Sequence, residues 1–274
     1  MTQTLRVAIG QTVSLLHNTE SNMAQACRLA AEAAEQGAKL ILLPEGCLTG
    51  NALSSPAMQA TLPVDAAAFE PLRRVAAEGG ITICAGFATP FGEKFNVVHA
   101  IVQPDGKIFF QRKATRASTE PTFLAPWPDA TREVFEVDGV RVVMVICSEM
   151  SGKEVRAAVE AVNPQLILHC SAGSVPKDQV CENDPSPEIL TEIEQGMRRV
   201  VDGTIKRVAE QGIPRMGANP IGFDGETYWP GNSFAIDATG IVRLWMMGTH
   251  VVARMAPSVE IVDMPIPALV PALS

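Results

Sequence analysis

The chain has 274 residues, 47% of them hydrophobic and 19% charged, which is the composition of a globular protein long enough to bury a sizeable core. A formal net charge of −8 with no basic run argues against a nucleic-acid or anionic-membrane surface. No stretch reaches about 18 continuous apolar residues, and the opening MTQTLRVAIGQ holds too short an apolar run for a signal peptide, so neither a membrane span nor a secretory leader is expected.

Residues 5–11 (LRVAIGQ) read as a first strand. Asn18 or Ser21 is placed to cap the helix after it, where Met23, Ala26, Cys27, Ala30 and Ala34 recur at three- and four-residue spacing until Gly37 closes it. Residues 39–44 (KLILLP) form a buried strand ended by Pro44, with Glu45 next. Strand, helix and strand in this succession make a βαβ unit, hence a parallel pair. A helix over 66–78 and a strand over 81–87 follow. Residues 96–102 and 107–111 flank Pro104-Asp105-Gly106, a hairpin signal, so antiparallel pairs mix with parallel ones. Arg112-Lys113 ends that hairpin, and a polar loop over 114–131 carries Glu120.

A second hairpin joins 133–137 to 140–146 about Asp138-Gly139. Residues 140–146 (VRVVMVI) are apolar except for Arg141, the pattern of a strand covered on both faces, and Cys147 stands where the run stops. A helix over 153–162, a strand over 166–169 and a loop over 171–184 come next. Pro187 suits the first turn of a long amphipathic helix reaching Glu210. Gly212 and Pro214 precede a strand over 215–219, and a glycine-rich loop over 222–231 leads to 233–237 and the turn Ala238-Thr239-Gly240. No repeat or low-complexity linker interrupts this alternation, so residues 1–274 are expected to form one domain. The proline-punctuated, hydrophobic residues 263–274 read as a tail packing on the surface or on a neighbouring subunit.

The six cysteines (Cys27, Cys47, Cys84, Cys147, Cys170, Cys181) contain no CxxC pair and no metal-like spacing with His17, His99, His169 or His250. No metal or cofactor is expected, and a reduced cytoplasmic compartment suits the pattern. Most free cysteines are small buried hydrophobes. Three polar residues nevertheless share one kind of place, the polar exit of an apolar strand: Glu45, Lys113 and Cys147. Strand exits in open α/β sheets converge on one rim, where ligands bind. A nucleophilic thiol needs a base or a nearby cation. A partly buried carboxylate can take its proton and later activate water, and a lysine can stabilise a developing oxyanion. His169, at its own strand end, is the competing base for a Cys–His arrangement.

LILLPEGCLTG with Glu45, QRKATRASTE with Lys113 and Glu120, and VMVICSEM with Cys147 together resemble the nitrilase (carbon–nitrogen hydrolase) superfamily. The opening VAIGQ, LILHCSAG and GANPIGFDGETYWPGNSFAIDATG agree with it, so the resemblance runs from about Leu5 to Val262. It implies an α/β fold, a four-layer α-β-β-α sandwich of two mixed β-sheets, assembled into homodimers or larger forms. It makes Glu45 the general base, Lys113 the oxyanion stabiliser, Cys147 the nucleophile and Glu120 the second glutamate that positions substrate and lysine. The Ser148 amide becomes the backbone oxyanion donor. Cys170 and Ser171, at the next strand exit, are candidates to line the pocket, with plain core packing as the alternative.

The activity implied is hydrolysis of a small amide through a cysteine thioester, without metal or organic cofactor, and with no nucleic-acid or membrane partner. A nitrilase acting on a C≡N group with the same residues is the alternative, followed by an N-carbamoyl amide hydrolase and then a catalytically silent interaction protein. Many family members carry an aromatic residue directly after the cysteine, where this chain has Ser148, and an arginine-containing segment where it has Glu149-Met150-Ser151-Gly152. Ser148 and Gly152 point to a roomier or more polar pocket. Asn219 is expected to tie loops together, and Phe223, Tyr228 and Trp229 to pack.

Overall fold

The computed structural model describes residues 3–174, 187–224, 226–247 and 256–269. Two mixed sheets pack face to face. The first has the order β13-β1-β2-β3-β4-β5, from β1 (Gln3–Gln11), β2 (Leu40–Leu42), β3 (Thr82–Phe91), β4 (Lys94–Val102), β5 (Ile108–Arg112) and β13 (Ser258–Ile266). The second has the order β10-β11-β9-β8-β7-β6, with β12 (Val242–Met247) also paired to β11. Its other strands are β6 (Val134–Val137), β7 (Val140–Ile146), β8 (Leu166–Cys170), β9 (Arg215–Ala218), β10 (Ile221–Phe223) and β11 (Tyr228–Ile236).

The strand patterns explain this layering. In β7, Val140, Val142, Met144 and Ile146 enter the core between the sheets, while Val143 and Val145 pack with α3 (Lys153–Ala161) through Val155 and Val159. A strand apolar on both faces is what a two-sided covering requires. In the first sheet, Leu40 and Leu42 face the other sheet, whereas Ala8 and Ile41 meet α1 (Thr19–Glu35) and α2 (Glu70–Gly79) through Leu29, Ala30 and Leu72. The long α4 (Pro187–Gln211) packs Val201 and Val208 against Phe234 and Ile236 of β11.

The expected βαβ unit is present, with β1 and β2 parallel about α1. Asn18 is the cap, its Oδ1 accepting the Ser21 N–H at 3.1 Å. Both hairpins form, and Asp138 and Gly139 turn with φ of 48° and 75°. The buried stripe of α1 is Asn22, Ala26, Leu29, Ala30 and Ala33, so Cys27 is only partly buried at its margin.

Three expectations are corrected. Residues 222–231 are not one loop, because β10 and the start of β11 pair antiparallel across Asp224–Thr227. Residues 263–266 do not begin a tail. They finish β13, opposite Gln3–Arg6 of β1, with Met264 and Ile266 fully buried. Strand β12 and most of β13 lie where no strand was expected. Residues 175–184 of the 171–184 loop, Cys181, His250 and residues 270–274 lie outside the described residues.

Candidate active site

The exits of β2, β5, β7 and β8 meet on one rim. Glu45 donates its backbone N–H to the Ser171 carbonyl at 3.3 Å, joining the β2 exit of one sheet to the β8 exit of the other. Gly86 of β3 runs behind this turn so closely that a Cβ would lie 2.6 Å from Gly46 N and 2.7 Å from the Pro44 carbonyl oxygen. Lys113 is pinned by its own backbone. Its N–H donates to Val97 O at 2.8 Å, and its carbonyl accepts from Trp127 N at 2.8 Å and from Asn96 Nδ2 at 3.0 Å.

The side chains converge. Lys113 Nζ donates to Glu45 Oε1 at 2.7 Å and to Glu120 Oε1, and the side chains of Lys113 and Glu45 are each 3% exposed. Glu120 is held in turn, Oε2 accepting the Ala117 N–H at 2.7 Å. Donor atoms of Glu45, Glu120 and Cys147 lie within 4.8 Å of one another. The Lys113 ammonium pairs with one oxygen of each carboxylate and brings a positive charge into the cluster, so its chemistry is that of acid, base and thiol rather than of a metal cage.

Cys147 opens a short 3-10 turn at the end of β7 with φ of 49°, a left-handed conformation that costs a non-glycine residue about 1–3 kcal/mol. In this turn the thiol sits beside the two carboxylates. Burial pushes the thiol up to about 12, the Glu45 charge adds to this, and Lys113 and the Ala172 amide oppose it. Free thiolate is therefore scarce at neutral pH, and the group needs a base. Burial raises Glu45 above its ordinary 4.5, Lys113 lowers it and Glu120 raises it again. Burial alone would lower Lys113, but the charges of Glu45, Cys147 and Glu120 outweigh it, and the ammonium keeps its proton. Glu45 Oε2 is buried and makes no conventional hydrogen bond among the described residues, and the Cys147 thiol is the group that bonds to this carboxyl.

Ser148 and Ser171 line a cleft of about 640 Å³ together with Cys147, His169, Asn219 and Asn232. On the carboxylate side a hollow of about 30 Å³ is bounded by Glu45, Glu120, Ala172, Leu53, Leu124 and Trp229. The hollow has room for a group of only a few atoms, so larger groups are confined to the cleft side.

Two candidates are elsewhere. Cys170 does not line the pocket: it is fully buried between the sheets, its Sγ 3.4 Å from His99 Nδ1. Strand alternation turns it into the core while Ser171, one residue on, reaches the rim. His169 does not address the thiol, since its Nε2 lies 2.9 Å from the Cys147 carbonyl oxygen and donates to it. Burial lowers it to about 4, which keeps the ring neutral. Asn219 ties loops together as expected, accepting from Gly173 N at 2.7 Å and donating to Gly231 O. Trp229 packs with its Nε1 on Asp224 Oδ2 at 2.7 Å, while Phe223 is exposed. Ala172 and Glu149 were not anticipated, the first because a backbone donor has no side-chain signature.

A sequence profile described as carbon–nitrogen hydrolase matches residues 6–243. A hydrolase of Mycobacterium tuberculosis is 30% identical over 182 residues, 63% of each chain. An arylacetonitrilase of Aspergillus niger is 28% identical over 162 residues, 54% of this chain and 49% of that one. The chain thus matches under two thirds of the length of these relatives. An amidase from Nesterenkonia sp. superposes with a TM-score of 0.74 at 22% identity, covering 95% of this chain and 90% of that one. A variant of that amidase carries the acetamide moiety of fluoroacetamide added covalently at its active-site cysteine. With the profile spanning most of its length and two mixed sheets matching the nitrilase-superfamily fold, this chain belongs to the carbon–nitrogen hydrolase family.

Proposed function

We propose that the protein hydrolyses a small primary amide through a thioester on Cys147. One observation carries this reading: a single ammonium, Lys113, bridges Glu45 and Glu120 beside a strained, protonated thiol. Glu45 Oε2 takes the thiol proton as Sγ attacks the carbonyl carbon. Lys113 Nζ and the backbone N–H of Ser148, in the first turn of the 3-10 helix that Cys147 opens, stabilise the oxyanion. The C–N bond breaks as the proton on Glu45 passes to the departing ammonia. Water then attacks the thioester with Glu45 as base, releasing the carboxylic acid and restoring the thiol. Glu120 holds Lys113 and faces the hollow that suits an amide nitrogen, while the acyl group extends toward the cleft beside Ser148 and Ser171.

The likeness to arylacetonitrilase favours a second reading, attack on a nitrile carbon by the same residues. Ammonia release from a panel of small amides, N-carbamoyl compounds and matching nitriles, with wild type and Cys147→Ala, tests both. Amide turnover that disappears in Cys147→Ala is the expected result. Nitrile turnover alone selects the second reading, and turnover surviving in Cys147→Ala refutes both.

A further inference from the structure

One buried charge outside the groups given roles above touches the backbone on both sides of the site. Glu149 lies in the turn that Cys147 begins, and none of its side chain reaches solvent. Its Oε2 accepts the N–H of Ile146, the residue before the thiol, at 2.8 Å. Its Oε1 accepts the N–H of Ala114, the residue after Lys113, at 2.6 Å, and Arg132 Nη2 at 2.7 Å. Arg132, equally buried, donates its Nη1 to the carbonyl of Arg112, the residue before Lys113, at 3.3 Å. One ion pair therefore grips the chain on both flanks of Lys113 and immediately before Cys147, across the exits of two different sheets.

All three partners of Glu149 are donors, a pattern that suits the ionised carboxylate. Burial raises its affinity for a proton, and Arg132 works against that. A buried ion pair is a weak stabiliser compared with apolar side chains of the same volume. What this pair supplies that an apolar pair does not is a fixed link between two backbone amides, one from each catalytic loop.

We propose that the Arg132–Glu149 pair is a positioning device that sets Lys113 against Cys147 through the amides of Ala114 and Ile146. The inference rests on the reading of Cys147 as the nucleophile. Glu149 and Arg132 touch no substrate. They act by keeping the ammonium, the thiol and the left-handed turn in one geometry, where a displacement of about 1 Å is worth about 100-fold in rate.

The test follows iodoacetamide alkylation of Cys147, located by peptide mass and expressed per folded molecule, so that it needs no choice of substrate. Two variants separate positioning from stability. Glu149→Gln/Arg132→Met removes both charges at similar volume, and its melting temperature is expected near that of wild type. Glu149→Asp keeps the ion pair, but its carboxylate is one methylene too short to reach both amides. Alkylation is expected to slow by about 10-fold or more in both. With any amide that is turned over, kcat falls while KM changes little. A wild-type rate in either folded variant overturns the proposal, as does failure of both to fold, which assigns the pair to stability alone. A wild-type Cys147 that reacts no faster than the other five cysteines is a different outcome. It removes the nucleophile reading, and the positioning role falls with it.

Discussion

Lys113 Nζ lies 2.7 Å from Glu45 Oε1, with both side chains 3% exposed, and Glu120 closes on the same ammonium. The two carboxylates maintain the ammonium, and the ammonium supports the Glu45 charge while Glu120 opposes it. Burial by itself favours a neutral carboxyl at Glu45 and a neutral amine at Lys113, and their proximity reverses the second tendency and opposes the first.

Removing the cation exposes this dependence. In Lys113→Met the two carboxyls lose their shared partner, so one of them holds a proton at neutral pH. Breaking a buried pair by deleting one partner costs about 3–5 kcal/mol, and losing an oxyanion donor costs about 100- to 1000-fold in kcat. Carboxyl pKa values raised in the fold give stability that is present below the unfolded value and lost as pH rises through the folded one. Urea midpoints of the variant are therefore expected to fall between about pH 5 and about pH 8 by more than those of wild type.

The acid side of the pH–rate profile follows from Glu45, which must be ionised to accept the thiol proton. Its pKa is raised above 4.5, so kcat/KM is expected to decline as pH falls through a midpoint above that value. The Glu120 charge contributes to the increase, and Glu120→Gln is expected to move the midpoint down. An acid limb lying at ordinary carboxylate values in the wild type contradicts the assignment of Glu45.

Gly86 has no room for a side chain. An added Cβ would lie 2.5 Å from His99 Cε1 as well as against the backbone of Pro44 and Gly46, and backbone atoms cannot swing aside. Gly86→Ala is expected to destabilise the fold by about 1–3 kcal/mol and to lower activity by shifting Glu45. In α4, Gly203→Ala meets only the far end of Arg207 at 3.7 Å. That control is expected to melt at or above the wild-type temperature.

The convergence of Glu45, Lys113 and Cys147 was legible because each ends an apolar run, and strand exits in such sheets share a rim. Cys170 was misjudged by a single residue of strand alternation, since Ser171 reaches the rim and Cys170 the core. The 222–231 segment carries Asp224 where the hairpin turns, and only pairing with β11 makes Ile221–Phe223 a strand. Asn22 could not be read as buried from its polarity. It enters the core because Leu15 supplies both a donor and an acceptor for its amide, at 2.9 and 2.8 Å. Glu149 was hidden for the same reason, as a charge whose partners, Ala114 after β5 and Arg132 before β6, lie far from it in sequence.

Buried His99 contributes to the acid stability. Burial lowers His99 to about 3, with its ring between Leu43 O and Cys170 Sγ. A depressed pKa gives stability that is present above the unfolded value of 6.5 and lost as pH falls toward the folded value. The contribution of His99 is on the order of a few kcal/mol. In His99→Gln the decline in stability between about pH 6.5 and about pH 4, followed by denaturant titration at each pH, is expected to be shallower.

The most direct test is quenched intact-mass analysis during turnover of an amide that releases ammonia, followed by peptide mapping. The expected result is a hydroxylamine-labile acyl adduct on the peptide containing Cys147, absent from Cys147→Ala together with all turnover. An adduct on another residue, or ammonia release by Cys147→Ala at the wild-type rate, would contradict a thioester at Cys147.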